Sequence, residues 1–170
     1  MSNSLIGKIA KRAVDSRFYL FLLNRIMSYA VPFNSPHRIR IEKIGPGHAT
    51  VCLPFIRRNR NHVNSVHACA LATLCEFTSG IAVMTLLPAE RYRIVLKSLN
   101  MDYHYRAKGD VLCQHQMDGV DFMRVHQLQL ESGAPVIYET CADVFDRQGN
   151  LICTGKATWQ IKSWQSVKSN

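Results

Sequence analysis

Asn61, His67 and Glu76 are the polar residues whose types and spacing could support chemistry in this chain. They punctuate the stretch Asn61 to Pro88, NHVNSVHACALATLCEFTSGIAVMTLLP, which is almost wholly apolar or small from Val66 to Leu87 apart from Glu76. An ionised carboxylate in such surroundings is costly unless it is paired, hydrated or used. An apolar setting also raises its pKa, which makes it a better proton acceptor as long as it stays ionised. The competing reading is a buried Glu satisfied by Asn, Thr or Arg neighbours, and at this point the two stand level.

The element that must carry Glu76 is a helix over about 66–87. Asn64 or Ser65 can cap its start and Pro88 marks its end. Leu71, Leu74, Thr78, Ile81 and Thr85 follow the three-four spacing of a packed stripe. Cys69, Ala72, Thr73, Glu76, Ser79, Gly80 and Val83 form a second stripe, small and partly polar, suited to close approach by a partner helix, a backbone or a ligand. The run is long enough to cross a bilayer. Its central acid and the lack of a basic flank after it favour a helix wrapped inside a folded domain instead.

With 170 residues, one domain is the default, and 47% hydrophobic content is ample for its core. The net charge of +9 favours anionic partners: nucleic acid, anionic lipid or phosphorylated small molecules. No long Lys/Arg tract, zinc finger or RNA-binding signature is present, which ranks nucleic acid low. The six cysteines, Cys52, Cys69, Cys75, Cys113, Cys141 and Cys153, form no CxxC pair, so neither a metal site nor a disulfide framework is expected. They read as small hydrophobes in a reducing compartment, which points to the cytoplasm.

Ahead of the helix, Ser4 to Tyr29 reads as one basic amphipathic helix, followed by a linker; residues 1–35 are thus set apart from a domain over 36–170. Packing on the domain edge is favoured over weak contact with a membrane surface or an organelle presequence. Arg38 to Ile44 and Ala49 to Phe55 alternate as strands about a Gly45–Gly47 turn. After Pro88 the pattern is mostly β: a long, interrupted strand over Tyr92 to Arg106, another over Val111 to Met117, and a last hairpin of Val136 to Asp146 with Leu151 to Ser163. Asp121 to Glu131 fits a short helix or a strand about equally. One apolar helix among so many strands needs a curved antiparallel sheet around it, giving an α+β fold.

The order of elements and the spacing N-x5-H-A-x7-E, from Asn61 through His67 and Ala68 to Glu76, resemble the hotdog-fold acyl-CoA thioesterases. The phenylacetate-pathway type of the 4-hydroxybenzoyl-CoA thioesterase superfamily is the most similar branch. Ala68 and Cys69 stand where that branch has two glycines, and the resemblance covers roughly Arg38 to Lys162. It implies a homodimer, or a dimer of dimers, whose sheets join edge to edge with active sites at the interface. It also implies that a coenzyme A thioester is the substrate and that no cofactor or metal is needed. By the same resemblance Glu76 is general base or nucleophile, the Ala68 amide polarises the thioester carbonyl, and Asn61 holds water or substrate; Asn61 reads equally as a loop residue bonding its own backbone. His67 either orients the substrate or caps the helix.

Free N–H groups and a positive dipole at a helix start suit a developing oxyanion, which supports the role of Ala68 independently. Ala68 and Glu76 are eight residues apart, about 12 Å along a helix. One carbonyl cannot touch both, so they must serve a substrate from different chains. Arg57, Arg58, Arg60, Lys97, Arg106 and Lys108 are candidates for the phosphates of coenzyme A. Cys69 and Thr73 would line the substrate channel, and Ser98 is the nearest counterpart of a family hydroxyl on the strand after the helix. The missing glycine pair keeps open a non-catalytic acyl-CoA or lipid-binding module on the same fold.

Overall fold

In the computed structural model, which describes residues 3–166, the chain begins with helices α1 (Asn3–Ala13) and α2 (Arg17–Ala30) and strands β1 (Arg40–Gly45) and β2 (His48–Leu53). Helix α3 (Ala68–Leu86) follows, then strands β3 (Tyr92–Tyr103) and β4 (Val111–Gln116), helix α4 (Gly119–Glu131), and strands β5 (Val136–Asp146) and β6 (Leu151–Ser163). The outermost residues of the two expected segments, 1–2 and 167–170, lie outside the described residues. All six strands form one antiparallel sheet in the order β1-β2-β4-β5-β6-β3. Helix α3 touches every strand of it. This is the α+β architecture expected from the sequence, a curved sheet closed around one apolar helix.

Burial on nearly all sides explains why α3 carries so little polarity. Leu71, Leu74, Cys75, Phe77, Thr78, Ile81, Ala82 and Val83 are all buried. Each large apolar side chain among them contributes about 1.5–3 kcal/mol by leaving water. Two glycines set how closely the helix and sheet approach. A Cβ on Gly80 would lie 2.8 Å from the Trp159 ring on β6, and one on Gly155 would lie 2.6 Å from the Cys75 Cβ. The small stripe of α3 therefore meets the Trp159 ring of β6 at Gly80, and Cys75, beside the stripe, meets the β6 backbone at Gly155. The open part is the N-terminal half, where Cys69 is exposed and Ala72, Thr73 and Glu76 are half-buried.

Strand β3 is an edge, so one side of a 12-residue strand has no partner among the described residues. Val95, Lys97, Ser98, Asn100, Asp102 and Tyr103 on it are exposed. An edge of this length is a template for pairing with a second strand.

Several boundaries differ from the sequence reading. The expected single N-terminal helix is two, broken at Val14 to Ser16, because the Ser16 side chain caps the backbone N–H of Tyr19 and restarts the helix. Ile9, Ala13 and Leu23 enter the same core cluster as Leu71 and Leu74, so both helices pack on the sheet–helix body. Helix α3 starts at Ala68 with His67 as its cap, not Asn64 or Ser65. Strand β1 starts at Arg40, two residues late, since Ser35–His37 forms a 3-10 turn and Arg38 is left-handed with φ 53°. The ambiguous segment is helical: the Asp118 carboxylate accepts from the N–H groups of Val120 and Asp121, and Gly133 ends it at φ 77°.

Candidate active site

The start of α3 is built by the loop before it. His67 is extended, with φ −68° and ψ 138°, and its Nδ1 accepts from the Cys69 N–H at 3.1 Å. The His67 N–H donates to the Asn59 carbonyl at 2.8 Å, and the N–H groups of Ala70 and Leu71 return to the His67 carbonyl. Among the first N–H groups of the helix, that of Ala68 has no acceptor among the described residues, and Ala68 is exposed. The one free donor thus belongs to the residue expected to face the substrate carbonyl. Tyr103, at the end of β3, donates its hydroxyl to the Ala68 carbonyl at 3.1 Å. Burial raises the Tyr103 pKa, with the Cys153, Cys69 and Cys75 thiols adding to it, so the phenol stays protonated at neutral pH.

Glu76 lies two turns further along. It is half-buried, and no hydrogen bond or ion pair reaches its carboxylate among the described residues. The neighbouring hydroxyls are engaged with the helix backbone: Thr73 donates to Cys69 O, Thr78 to Leu74 O, and Ser79 to Glu76 O. The Asn, Thr or Arg partner of a structurally satisfied Glu is therefore not present among the described residues. Burial alone pushes the Glu76 pKa up. Cys75 beside it contacts Gly155 and lies near Met101, and Gly80 one turn on lies against Trp159. Together with the Tyr103 bond, these contacts set the Glu76 face of α3 over the β6–β3 margin, next to the unpaired edge.

Asn61 organises its own loop. Its Oδ1 accepts from the N–H groups of Val63 and Ser65 at 3.1 and 3.0 Å, and its Nδ2 donates to the Ser65 hydroxyl at 2.9 Å. These bonds tie the carboxamide to the loop, so Asn61 shapes the approach to α3 and keeps one Nδ2 hydrogen without a partner among the described residues. The cations expected as one phosphate cluster divide by task. Arg60 donates to Asn64 Oδ1 and stacks over the Phe55 ring at 4.9 Å, and Arg106 donates to the Val63 carbonyl. Both brace the Asn61 loop. Arg57 and Arg58 instead line a cavity of about 420 Å³ with Arg38, which the sequence reading missed. Lys97, Ser98 and Lys108 are exposed and make no side-chain bond among the described residues.

Asn59 was also missed, and it joins these parts. It is fully buried; its Nδ2 donates to the carbonyls of His37 and Pro54 at 2.9 and 2.8 Å, and its Oδ1 meets His37 Nδ1 at 2.8 Å. Asn59→Ala would leave these groups without partners. It is expected to cost at least about 1–3 kcal/mol in urea denaturation; an unchanged midpoint would show that the junction is not a structural staple.

The six cysteines are free. Thiol contacts with Cys113 and Cys153, then burial, push the Cys75 pKa far up, and burial pushes that of Cys52 up to about 11, so neither supplies a thiolate. No group of three or more His, Cys, Asp or Glu side chains that could hold a metal occurs among the described residues.

With this geometry in view, comparison with known proteins gives a family and a fold. The profile of a family described as a domain of unknown function, DUF4442, matches residues 21–161. The chain belongs to the DUF4442 family. The solved structures similar to this DUF4442 chain include a Pseudomonas aeruginosa protein of unknown function described as a probable thioesterase, with 25% identity and TM-score 0.76 over 84% of this chain and 95% of that one. A Haemophilus influenzae thioesterase shares 15% identity with TM-score 0.66 over 85% and 90% of the two chains. A Staphylococcus aureus thioesterase, solved as a point mutant, shares 14% identity with TM-score 0.61 over 78% and 99%. These likenesses establish the hotdog fold for the DUF4442 chain. No curated protein matches its sequence significantly.

Proposed function

We propose that this chain hydrolyses acyl-CoA thioesters as a hotdog dimer, most similar in its motif to the phenylacetate-pathway branch of the 4-hydroxybenzoyl-CoA thioesterase superfamily. The observation that carries the reading is Glu76: a half-buried carboxyl with a raised pKa and no partner among the described residues, at the open margin of the sheet. A group of this kind is costly to the fold and finds its explanation in use. The fold likeness to proteins described as thioesterases supports the reaction class.

In the reaction proposed, Glu76 takes a proton from water as the water oxygen adds to the thioester carbonyl. The negative charge that develops on the carbonyl oxygen is held by the Ala68 N–H of the second chain, aided by the positive end of that helix. Collapse of the tetrahedral intermediate breaks the C–S bond, releases the acid, and returns the proton to the departing thiolate. No metal or cofactor takes part. Because α3 is continuous from Ala68 to Leu86, the two groups stand about 12 Å apart in one chain. Pairing of β3 with its symmetry mate would bring Glu76 of one chain toward the amide of the other. The reading places the protein in a reducing, cytoplasmic setting.

The direct test is thiol release from a panel of acyl-CoAs by the full chain, followed through a dilution series with mass measured in parallel. Specific activity is expected to fall as dimers separate. Full activity in demonstrated monomers would remove the shared site.

A second reading, an acyl-CoA or lipid-binding module without turnover, is favoured by one feature. The Ala68 methyl and the exposed Cys69 thiol stand at the positions of the family's two glycines, where the substrate carbonyl would approach. Acyl-CoA that binds saturably with no thiol released would select it.

A further inference from the structure

The arginine-lined cavity is separate in construction from the Glu76 face. We propose that it is a recognition site for a phosphate dianion or diphosphate, with Arg38, Arg57 and Arg58 as its ligand-binding side chains. The cavity measures about 420 Å³ and is lined by Ser35, Pro36, Arg38, Ile56, Arg57 and Arg58. Three arginines line it, with no carboxylate among the lining residues. The ion pairs among the described residues are Arg124–Asp121 and Arg147–Asp110, so none of the three arginines is paired with a carboxylate there. Three exposed cations held together repel one another, and a multiply charged oxyanion both removes the repulsion and accepts bidentate bonds from planar guanidinium groups.

The cations are held by rigid parts. Arg38 closes one 3-10 turn, Ser35–His37, and Arg57 and Arg58 lie on another, Arg57–Asn59. Buried Asn59 ties the two turns together through His37 and Pro54. Arg38 itself is left-handed, with φ 53°, a conformation uncommon for a side chain of this size and the sort that persists where function requires it. A small hollow of about 20 Å³ adjoins the cavity through Ser35 and Arg38. Asn34 lines it, is 5% exposed, and its Nδ2 has no acceptor. This unused donor lies beside the cation cluster, where an anion or its bound water would use it.

The same Asn59 accepts the His67 N–H at the cap of α3, which couples the cavity to the helix start that bears the free Ala68 N–H. The nucleotide end of a coenzyme A ester has the required chemistry. That choice of ligand rests on the thioesterase reading, whereas the anion site does not. An anionic lipid headgroup presents the same phosphate, so the two sources are separated by experiment.

Binding of adenosine 3′,5′-bisphosphate and of inorganic pyrophosphate is measured by calorimetry on the full chain, and sedimentation is measured with vesicles of phosphatidylcholine with and without phosphatidic acid. The variants are Arg38→Gly, which suits a left-handed position and should fold at least as well as the parent, and the double variant Arg57→Gln/Arg58→Gln. Arg124→Gln, on α4, is the control. Saturable binding of the soluble anions, weakened at least about tenfold by both cavity variants and unchanged by the control, establishes the site with a soluble phosphate ligand. Loss confined to the phosphatidic acid vesicles establishes it with a lipid headgroup. No saturable binding to either, or binding equal in the parent and both cavity variants, overturns the proposal. Thiol release plays no part in this readout, so failure of the hydrolytic reading would leave its result intact.

Discussion

Glu76→Gln is expected to lower the rate of thiol release by about 10²–10⁴-fold while raising the thermal midpoint at neutral pH. The substitution keeps the shape of the side chain and removes its ability to take a proton. The stability effect has the opposite sign because burial disfavours the ionised form. The carboxyl pKa is higher in the folded state than in the unfolded state, so between the two values the folded state binds more protons. Stability therefore falls as pH rises through that window, and the deficit persists above it. Gln carries no charge to desolvate, so the variant should exceed the parent in stability at neutral pH, with the advantage vanishing below the unfolded carboxyl pKa. The parent's pH profile of kcat/KM should show an acid limb above the ordinary range of a glutamate, and the variant should lack it. A Gln variant as active as the parent would remove Glu76 from the chemistry. A drop in both activity and stability would mark it instead as a structural residue.

Ala68→Pro tests the other half of the site, with an expected loss of about 10²–10³-fold in kcat. Proline is accepted at the first position of a helix, since its fixed φ suits the helix and the N–H it lacks has no intrahelical partner there. His67 already holds the extended conformation that a residue before proline prefers. The Ala68 N–H serves no acceptor among the described residues, so removing it should leave the denaturation midpoint within about 0.5 kcal/mol of the parent. Ala68→Gly, which introduces the glycine of the thioesterase branch that the motif resembles and keeps the N–H, should retain or raise activity. If the Pro variant is folded and fully active, the oxyanion donor lies elsewhere.

The long helix and the strand order were legible because apolar period and turn residues agree along most of the chain. The paired features that define the site were not. Tyr103 reaches Ala68 across 35 positions and Asn59 reaches His37 across 22, and no local pattern announces either. Arg38 was invisible as a cavity residue because its left-handed backbone breaks a strand that RIRIEKI otherwise spells without interruption. Helix α4 is ambiguous in the sequence because its apolar spacing is incomplete as a packed face: Val125 and Leu128, three and six positions after Phe122, are exposed at 58% and 83%, and Phe122 and Leu130 anchor the helix. The break after Ala13 escaped notice because apolar residues continue on both sides of it, while one polar pair, Asp15-Ser16, carries the restart. For Asn61 the reading as a loop residue that bonds its own backbone stands beside the role implied by the resemblance, and the Val63 and Ser65 N–H groups supply those bonds.

Mixing the two inactive variants examines the shared site most directly. Glu76→Gln and Ala68→Pro chains are dissociated together, reassociated, and assayed for thiol release. If each site takes its carboxylate from one chain and its amide from the other, every heterodimer regains one intact site, and a statistical mixture should recover roughly a quarter of the parent activity. If both groups act within one chain, each heterodimer has two broken sites, and the mixture will stay as inactive as its components.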